Sequence, residues 1–306
     1  MRPPFFQTCR QGISNQSCLF RHVHGYDDTG RSDGGMCRAT SRQEMREIPV
    51  LFYHNVGDYP PEMMEDGITA QAFARQMQYL SANGYQIVTL DESVDHLAGI
   101  RRLTDRSLAI TIDGGYRDAI LNVAPVLRQY QFPAVFFIAP EFIGGERAIK
   151  GNPIRCLTWP EVRELNESGF TIGLLANGGV GIKSPHDVDV VKGRIAAAME
   201  SLHANINADI RYCAFKEGVP GTDLRAFIQS QGIRAVFTQC PTNQRATVAG
   251  IGRIQIDDDD HNIFLTKISK LYLYFKDKRS WLYIRRYKLD RLFHHLSEWA
   301  NRMQDQ

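Results

Sequence analysis

Long apolar runs are missing from this chain of 306 residues. No stretch approaches the roughly 18 consecutive apolar residues that a membrane-spanning helix needs. The opening Met1-Arg-Pro-Pro-Phe-Phe-Gln-Thr-Cys-Arg10 lacks the hydrophobic core of a secretory signal, so a cytoplasmic location is expected. Cysteine is scarce: six in a chain of this length do not make a disulfide framework. Cys156, Cys213 and Cys240 lie in or beside apolar stretches and read as reduced, buried thiols. An excess of one charge is also absent. The net charge of +2 excludes a polyanion-binding molecule as a whole, and no specific nucleic-acid binding is expected. Histidine is missing between His96 and His186.

What is present is regular from residue 48 onward. Residues 1–46 are rich in Arg, Ser, Gly, Gln and Asp without periodicity, and read as a disordered extension. Cys9, Cys18, His22, His24 and Cys37 fall there, but their spacing matches no common zinc pattern. Apolar strands are then predicted over 48–54, 85–90, 107–113, 134–139, 170–176, 210–215 and 234–239, with a last candidate over 250–257. Helical periodicity falls between them, over 70–82, from Asp91, up to Tyr130, from Thr158, over 187–205 and over 222–231. Thr158-Trp-Pro-Glu161 has the form of a capping box with proline in the first turn. Continuous apolar strands alternating with amphipathic helices imply a parallel sheet covered on both faces. Seven or eight such units favour a barrel. The division expected is 1–46, a barrel over 47–262, and a helical tail over 263–306.

Three stretches carry a resemblance to a known family. Ser107-Leu-Ala-Ile-Thr-Ile-Asp113-Gly114-Gly115-Tyr116 is a strand ending in a carboxylate and a glycine turn, the position from which α/β barrels present catalytic groups. It resembles the Thr-Phe-Asp-Asp-Gly-Tyr motif of the polysaccharide deacetylases, the NodB-homology carbohydrate esterases. Ile48-Pro-Val-Leu-Phe-Tyr-His54 resembles their opening strand. Phe132-Pro-Ala134 and Phe136-Phe137 resemble the stretch that follows their first motif. The resemblance implies a distorted (β/α) barrel of seven or eight parallel strands, with the site at the carboxyl ends of the strands. It also implies a divalent metal, usually zinc, held by one aspartate and two histidines, which polarises an acetamide carbonyl and lowers the pKa of a bound water. A second aspartate then serves as base.

Carried over residue by residue, Asp113 matches the base, while Gly114 stands in place of the metal-binding aspartate. The family's Gly-Ser-His-Thr-x-x-His aligns with Gly173-Leu-Leu-Ala-Asn-Gly-Gly179, which puts Leu175 and Gly179 at the histidine positions. No metal ligand of the family set is left, and no metal cofactor is expected. The third motif is matched by Arg211-Tyr-Cys-Ala-Phe-Lys-Glu-Gly218, with Lys216 where proline is expected, and Gly252-Arg253-Ile254 resembles a late Pro-Arg-Ile. Candidate groove residues are His54, Tyr116 and Phe215.

Each candidate has a plainer reading beside it. Asp113 is a candidate base or a cap for the next helix, and His54 a groove residue or a core histidine. The run Asp257–Asp260 with His261 is a cation site or a solvated loop. Between Lys267 and Arg291 nine Lys or Arg stand against two Asp, with Tyr272, Tyr274, Phe275, Trp281, Tyr283 and Tyr287 interleaved. That pattern suits helices packing on the barrel or contact with an anionic membrane surface. The function expected is that of a deacetylase-like protein of surface-polysaccharide synthesis or modification that binds a glycan without hydrolysing it. The alternative is an active hydrolase on the carbon–nitrogen bonds of N-acetylated sugars, with Asp113 as base.

Overall fold

The computed structural model describes residues 48–60, 67–149, 151–176, 185–216, 220–239 and 250–269. All belong to the compact unit Glu44–Gln306. The 1–46 extension, Gly179, Cys240 and the basic stretch beyond Ser269 lie outside the described residues.

The chain opens with β1 (Val50–Tyr53), which leads into a small pair, β2 (Asn55–Val56) and β3 (Gly67–Ile68). Thr69 caps α1 (Ala70–Ala82), its hydroxyl accepting from Ala72 N at 3.1 Å. Phe73, Met77 and Leu80 form the buried stripe of that helix, and Gly84 ends it at φ 67°, where a side chain would be strained. The predicted strand over 85–90 is shorter than its apolar pattern suggests, reduced to β4 (Gln86–Ile87). Thr89 leaves the strand because its hydroxyl and Glu92 form a capping box that starts α2 (Leu90–Leu97). Next comes β5 (Ser107–Asp113), buried along its whole length. A turn of π-helix (Ala119–Val123) runs into α3 (Ala124–Gln129), and β6 (Val135–Ile138) follows.

A hairpin that the hydrophobic pattern did not announce, β7 (Glu146–Ile149) with β8 (Asn152–Arg155), interrupts the alternation. Its residues are mostly polar, so periodicity of apolar side chains carried no signal. α4 (Trp159–Glu167) starts at the expected box: Glu161 Oε2 accepts from Thr158 N at 2.8 Å and from its hydroxyl at 2.9 Å. The remainder is β9 (Thr171–Ala176), α5 (Pro185–Asn205), β10 (Tyr212–Phe215), α6 (Thr222–Ser230), β11 (Ala235–Thr238), β12 (Ile251–Gly252), β13 (Ile254–Gln255) and α7 (His261–Ile268).

The main sheet runs β12-β11-β10-β9-β6-β5-β1-β13, every pair parallel, with β4 on the lower part of β5. Its two edges are one piece of chain. β12 pairs with β11 and β13 with β1, and only Arg253 separates them. The segment Ile251–Gln255 therefore closes the sheet into the expected barrel.

Side chains alternate between two cores. Leu51, Tyr53, Ile110, Ile112, Phe136, Leu174 and Cys213 face the helices. Val50, Ala109, Val135, Phe137, Leu175, Tyr212, Ala214 and Phe237 fill the interior, together with Leu90 and Val94 of α2. That helix lies across the amino-terminal end, where Asp91 takes a bidentate pair from Arg211, with contacts at 3.0 and 2.6 Å. Arg234 bonds Asp91 and Asp95 together.

Each carboxylate of the acidic run before α7 has a protein partner. Asp259 accepts from the N–H and hydroxyl of Thr69, both at 2.9 Å, and Asp260 caps α7. Asp258 accepts from Asp260 N, and Asp257 pairs with Lys267. These contacts pin α7 to α1.

Gly173 shows how tightly the interior is filled. A Cβ there would lie 2.6 Å from the Phe137 ring and 3.2 Å from the Tyr212 carbonyl oxygen. The ring is held against Phe237 and Arg253 and has little room to give way. We expect Gly173→Ala to destabilise the fold by about 1–3 kcal/mol, the range for overpacking, read as a lowered midpoint in urea.

Candidate functional site at the carboxyl rim

The carboxyl ends of the strands present Asp113 from β5, His54 just after β1, Leu175 from β9, Gln239 just after β11 and Arg253 from the closing segment. Asp113 belongs to the interior row Ala109-Thr111-Asp113, and Arg253 to the row Ile251-Arg253, so the two meet inside the barrel by the period of two. Both side chains are fully buried. Arg253 Nη1 donates to Asp113 Oδ1 at 2.6 Å and Nη2 to Oδ2 at 2.7 Å, the fork geometry in which guanidinium and carboxylate bond most strongly. Nη1 also donates to Thr111 Oγ1 at 3.1 Å, and that hydroxyl donates to Leu51 O at 2.8 Å. The guanidinium plane lies over the rings of Phe52 at 4.7 Å and Phe137 at 5.1 Å. Asp113 thus caps no helix: both of its oxygens are committed to Arg253.

The glycine after it has a definite conformation. Gly114 sits at φ 109°, and a Cβ there would lie 2.4 Å from Cε2 and 2.7 Å from Cδ2 of Tyr116. The tyrosine ring fills the space that a side chain at 114 would use. Tyr116 itself is buried, 4% exposed, and its backbone bridges to Cys156. Its ring lies under the guanidinium of Arg147 at 5.8 Å.

The other candidates do not all converge. His54 is half-buried, edge-on to Phe52, with its Nε2 3.0 Å from the Gln239 side-chain amide. It follows Tyr53, which pairs with Ile112, the residue before Asp113. Phe215 faces the other way, in the layer between sheet and helices with Cys213. Cys156 and Cys213 are free thiols, and burial raises the pKa of both. Leu175 is 3% exposed in the interior core.

A divalent metal does not fit this set of residues. Gly114 and Leu175 offer no lone pair, and both oxygens of Asp113 are taken by a cation. Among the described residues no three His, Cys, Asp or Glu side chains group as metal ligands.

Sequence reasoning missed two features of this region. The first is Arg253, whose signal was visible: an arginine flanked by Ile251, Ile254 and Ile256 in a run otherwise fit for a buried strand. The second is Asp118, which is buried beside the rim and accepts from Val56 N at 2.8 Å and from Tyr59 OH at 3.1 Å. Burial pushes its pKa up to about 6 against the pull of these donors. No local pattern marks that residue, because its partners lie some sixty positions earlier.

A parallel α/β barrel with an inward carboxylate at a strand's carboxyl end defines the fold and the candidate site. The family described as Polysaccharide deacetylase matches residues 101–236. The poly-beta-1,6-N-acetyl-D-glucosamine N-deacetylase of Escherichia coli strain K12 is 27% identical over 126 residues, 39% of this chain and 19% of that protein. The putative polysaccharide deacetylase YxkH of Bacillus subtilis is 26% identical over 126 residues, 41% of each chain. The chain thus spans well under two thirds of the length of either relative. Among solved structures, IcaB from Ammonifex degensii aligns with a TM-score of 0.57 at 24% identity, covering 69% of this chain and 91% of that one. The deacetylase PplD of Streptococcus pyogenes, solved with acetate, aligns with a TM-score of 0.60 at 17% identity, covering 73% and 98%. Residues 101–236 of the chain thus match the polysaccharide deacetylase family, and the barrel shares the fold of these solved structures.

Two predictions follow from the buried groups. Arg253→Met and Asp113→Leu should each cost about 3–5 kcal/mol, since each leaves the partner charge buried alone. The double variant should cost less than the sum, a coupling readable from denaturant midpoints. Asp118, with its pKa raised in the folded state, binds a proton there at pH values where the unfolded chain has released it. Stability from this group is therefore greatest below about pH 4 and falls as pH rises to about 6. In Asp118→Asn that downward slope should be absent from thermal melts taken across the same range.

Proposed function

We propose that this protein is a glycan-binding member of its family in which metal-dependent amide hydrolysis has been lost. The observation that carries this reading is the Gly114 turn. Its positive φ and the Tyr116 ring together leave no room for a metal-binding carboxylate at that position. The loss is therefore not one substitution deep: restoring the aspartate alone would collide with the ring. Leu175, packed into the interior core, supports the same reading. So does Arg253, whose two Nη groups already bond both oxygens of Asp113 inside the barrel.

The ligand class we propose is an N-acetylated hexosamine polymer, met during synthesis or modification of a surface polysaccharide. The named activity of the Escherichia coli relative supports it. In this reading the barrel rim, with His54 and Gln239 on it, supplies the polar edge that meets the sugar.

The decisive experiment uses the full chain with zinc and with oligomers of N-acetylglucosamine. Calorimetry should show no stoichiometric zinc binding, no acetate should be released, and the oligomers should still bind. Gly114→Asp should not create a zinc site and should lower the melting temperature, whereas Gly114→Asp with Tyr116→Ala should recover part of that stability. Tight zinc binding lost in Asp113→Ala, together with acetate release, would overturn the proposal in favour of an active hydrolase with Asp113 as base.

A further inference from the structure

A cavity of about 630 Å³ opens beside the rim, between the carboxyl ends of β6 and β9 and the middle of α5. Its size falls within the roughly 300–1,000 Å³ of small-molecule sites. Leu174, Leu175 and Ala176 form one side, and Val191, Ile195 and Ala198 of α5 the other. Phe142, from the turn after β6, closes a third side.

The charged groups around it are few. Among the described lining residues the charged ones are Arg147, Arg194 and Glu141. Arg147 comes from the β7 hairpin, and its guanidinium lies flat over Phe142, 4.7 Å from the ring centre, and over Tyr116. Its Nη1 is buried and donates to no described residue. That atom has no surface open to the cavity; the N–H groups left for a ligand are those on the rest of the half-buried guanidinium at the lining, and an anionic oxygen is the acceptor they bond best.

These facts restrict what the cavity can hold. A sugar would bury hydroxyl groups against Leu, Val, Ile and Phe without partners, which is costly. An alkane would fit the lining and leave Arg147 unsatisfied. We propose that the cavity binds an amphipathic anion, with its aliphatic chain between Leu174 and Ile195 and a carboxylate or phosphate-monoester head on Arg147. This proposal is separate from the reading of the barrel rim and stands whether or not the rim hydrolyses a glycan.

The test is calorimetry on the full chain with decanoate, decyl phosphate, decanol and inorganic phosphate, each below any micelle-forming concentration. Both decyl anions should bind once per chain, and decanol and inorganic phosphate at least tenfold more weakly. Arg147→Met keeps the apolar stem and should weaken decanoate at least tenfold. Ala198→Trp should fill the cavity and abolish binding; if that variant does not fold by near-UV circular dichroism, Ala197→Phe takes its place. Tighter binding of decyl phosphate assigns a phosphate head, and tighter binding of decanoate a fatty acid. Absence of saturable binding, decanol binding as tightly as decanoate, or binding unchanged by both substitutions would overturn the proposal.

Discussion

The buried pair of Asp113 and Arg253 is the contact on which the barrel's upper half depends. The two residues are 140 positions apart, and the arginine sits in the short segment that joins the sheet's two edges. Closing the barrel therefore carries a guanidinium into the interior, where only a carboxylate with matching geometry makes it tolerable. Phe52 and Phe137 cover its faces, and Thr111 takes its remaining forward N–H and passes the bond on to the Leu51 carbonyl. Strand closure, core packing and the orientation of the candidate base are one arrangement.

That arrangement explains why the rim looks as it does. With Asp113 turned onto Arg253, the next residue is free to adopt a left-handed turn, and Tyr116 folds back over it. The tyrosine in turn supports Arg147 from the hairpin. An aromatic ring, with a guanidinium stacked on it, thus fills the space beside the carboxylate. Leu175 completes an apolar wall at the next strand but one. Gly114 and Leu175 are mutually consistent: the one faces the Tyr116 ring and the other packs in the interior core.

Much of the barrel was legible in the chain. The strand over 107–113 matches its predicted bounds because both of its faces are buried and the apolar run is unbroken. The capping box at Thr158 was also legible, because capping is local chemistry between residues three apart. β4 was shorter than predicted because Thr89 found a better partner in Glu92 than in a sheet neighbour. The hairpin at 146–155 escaped notice because its polar residues carry no apolar period. At the site, Asp113, Gly114 and Leu175 were legible as positions, but their partners were not.

The sequence by itself determined the alternation of strands and helices, the parallel sheet this implies, and the residue types at the rim, since each follows from periodicity or from a motif read along the chain. Only the tertiary structure decided that Asp113 meets an arginine instead of capping a helix, that Tyr116 occupies the space above Gly114, and that the acidic run before α7 fastens that helix to α1. The physical reason is the same in each case. These are contacts between groups many residues apart, and which groups meet is settled by barrel closure and side-chain parity, which no local window of sequence contains.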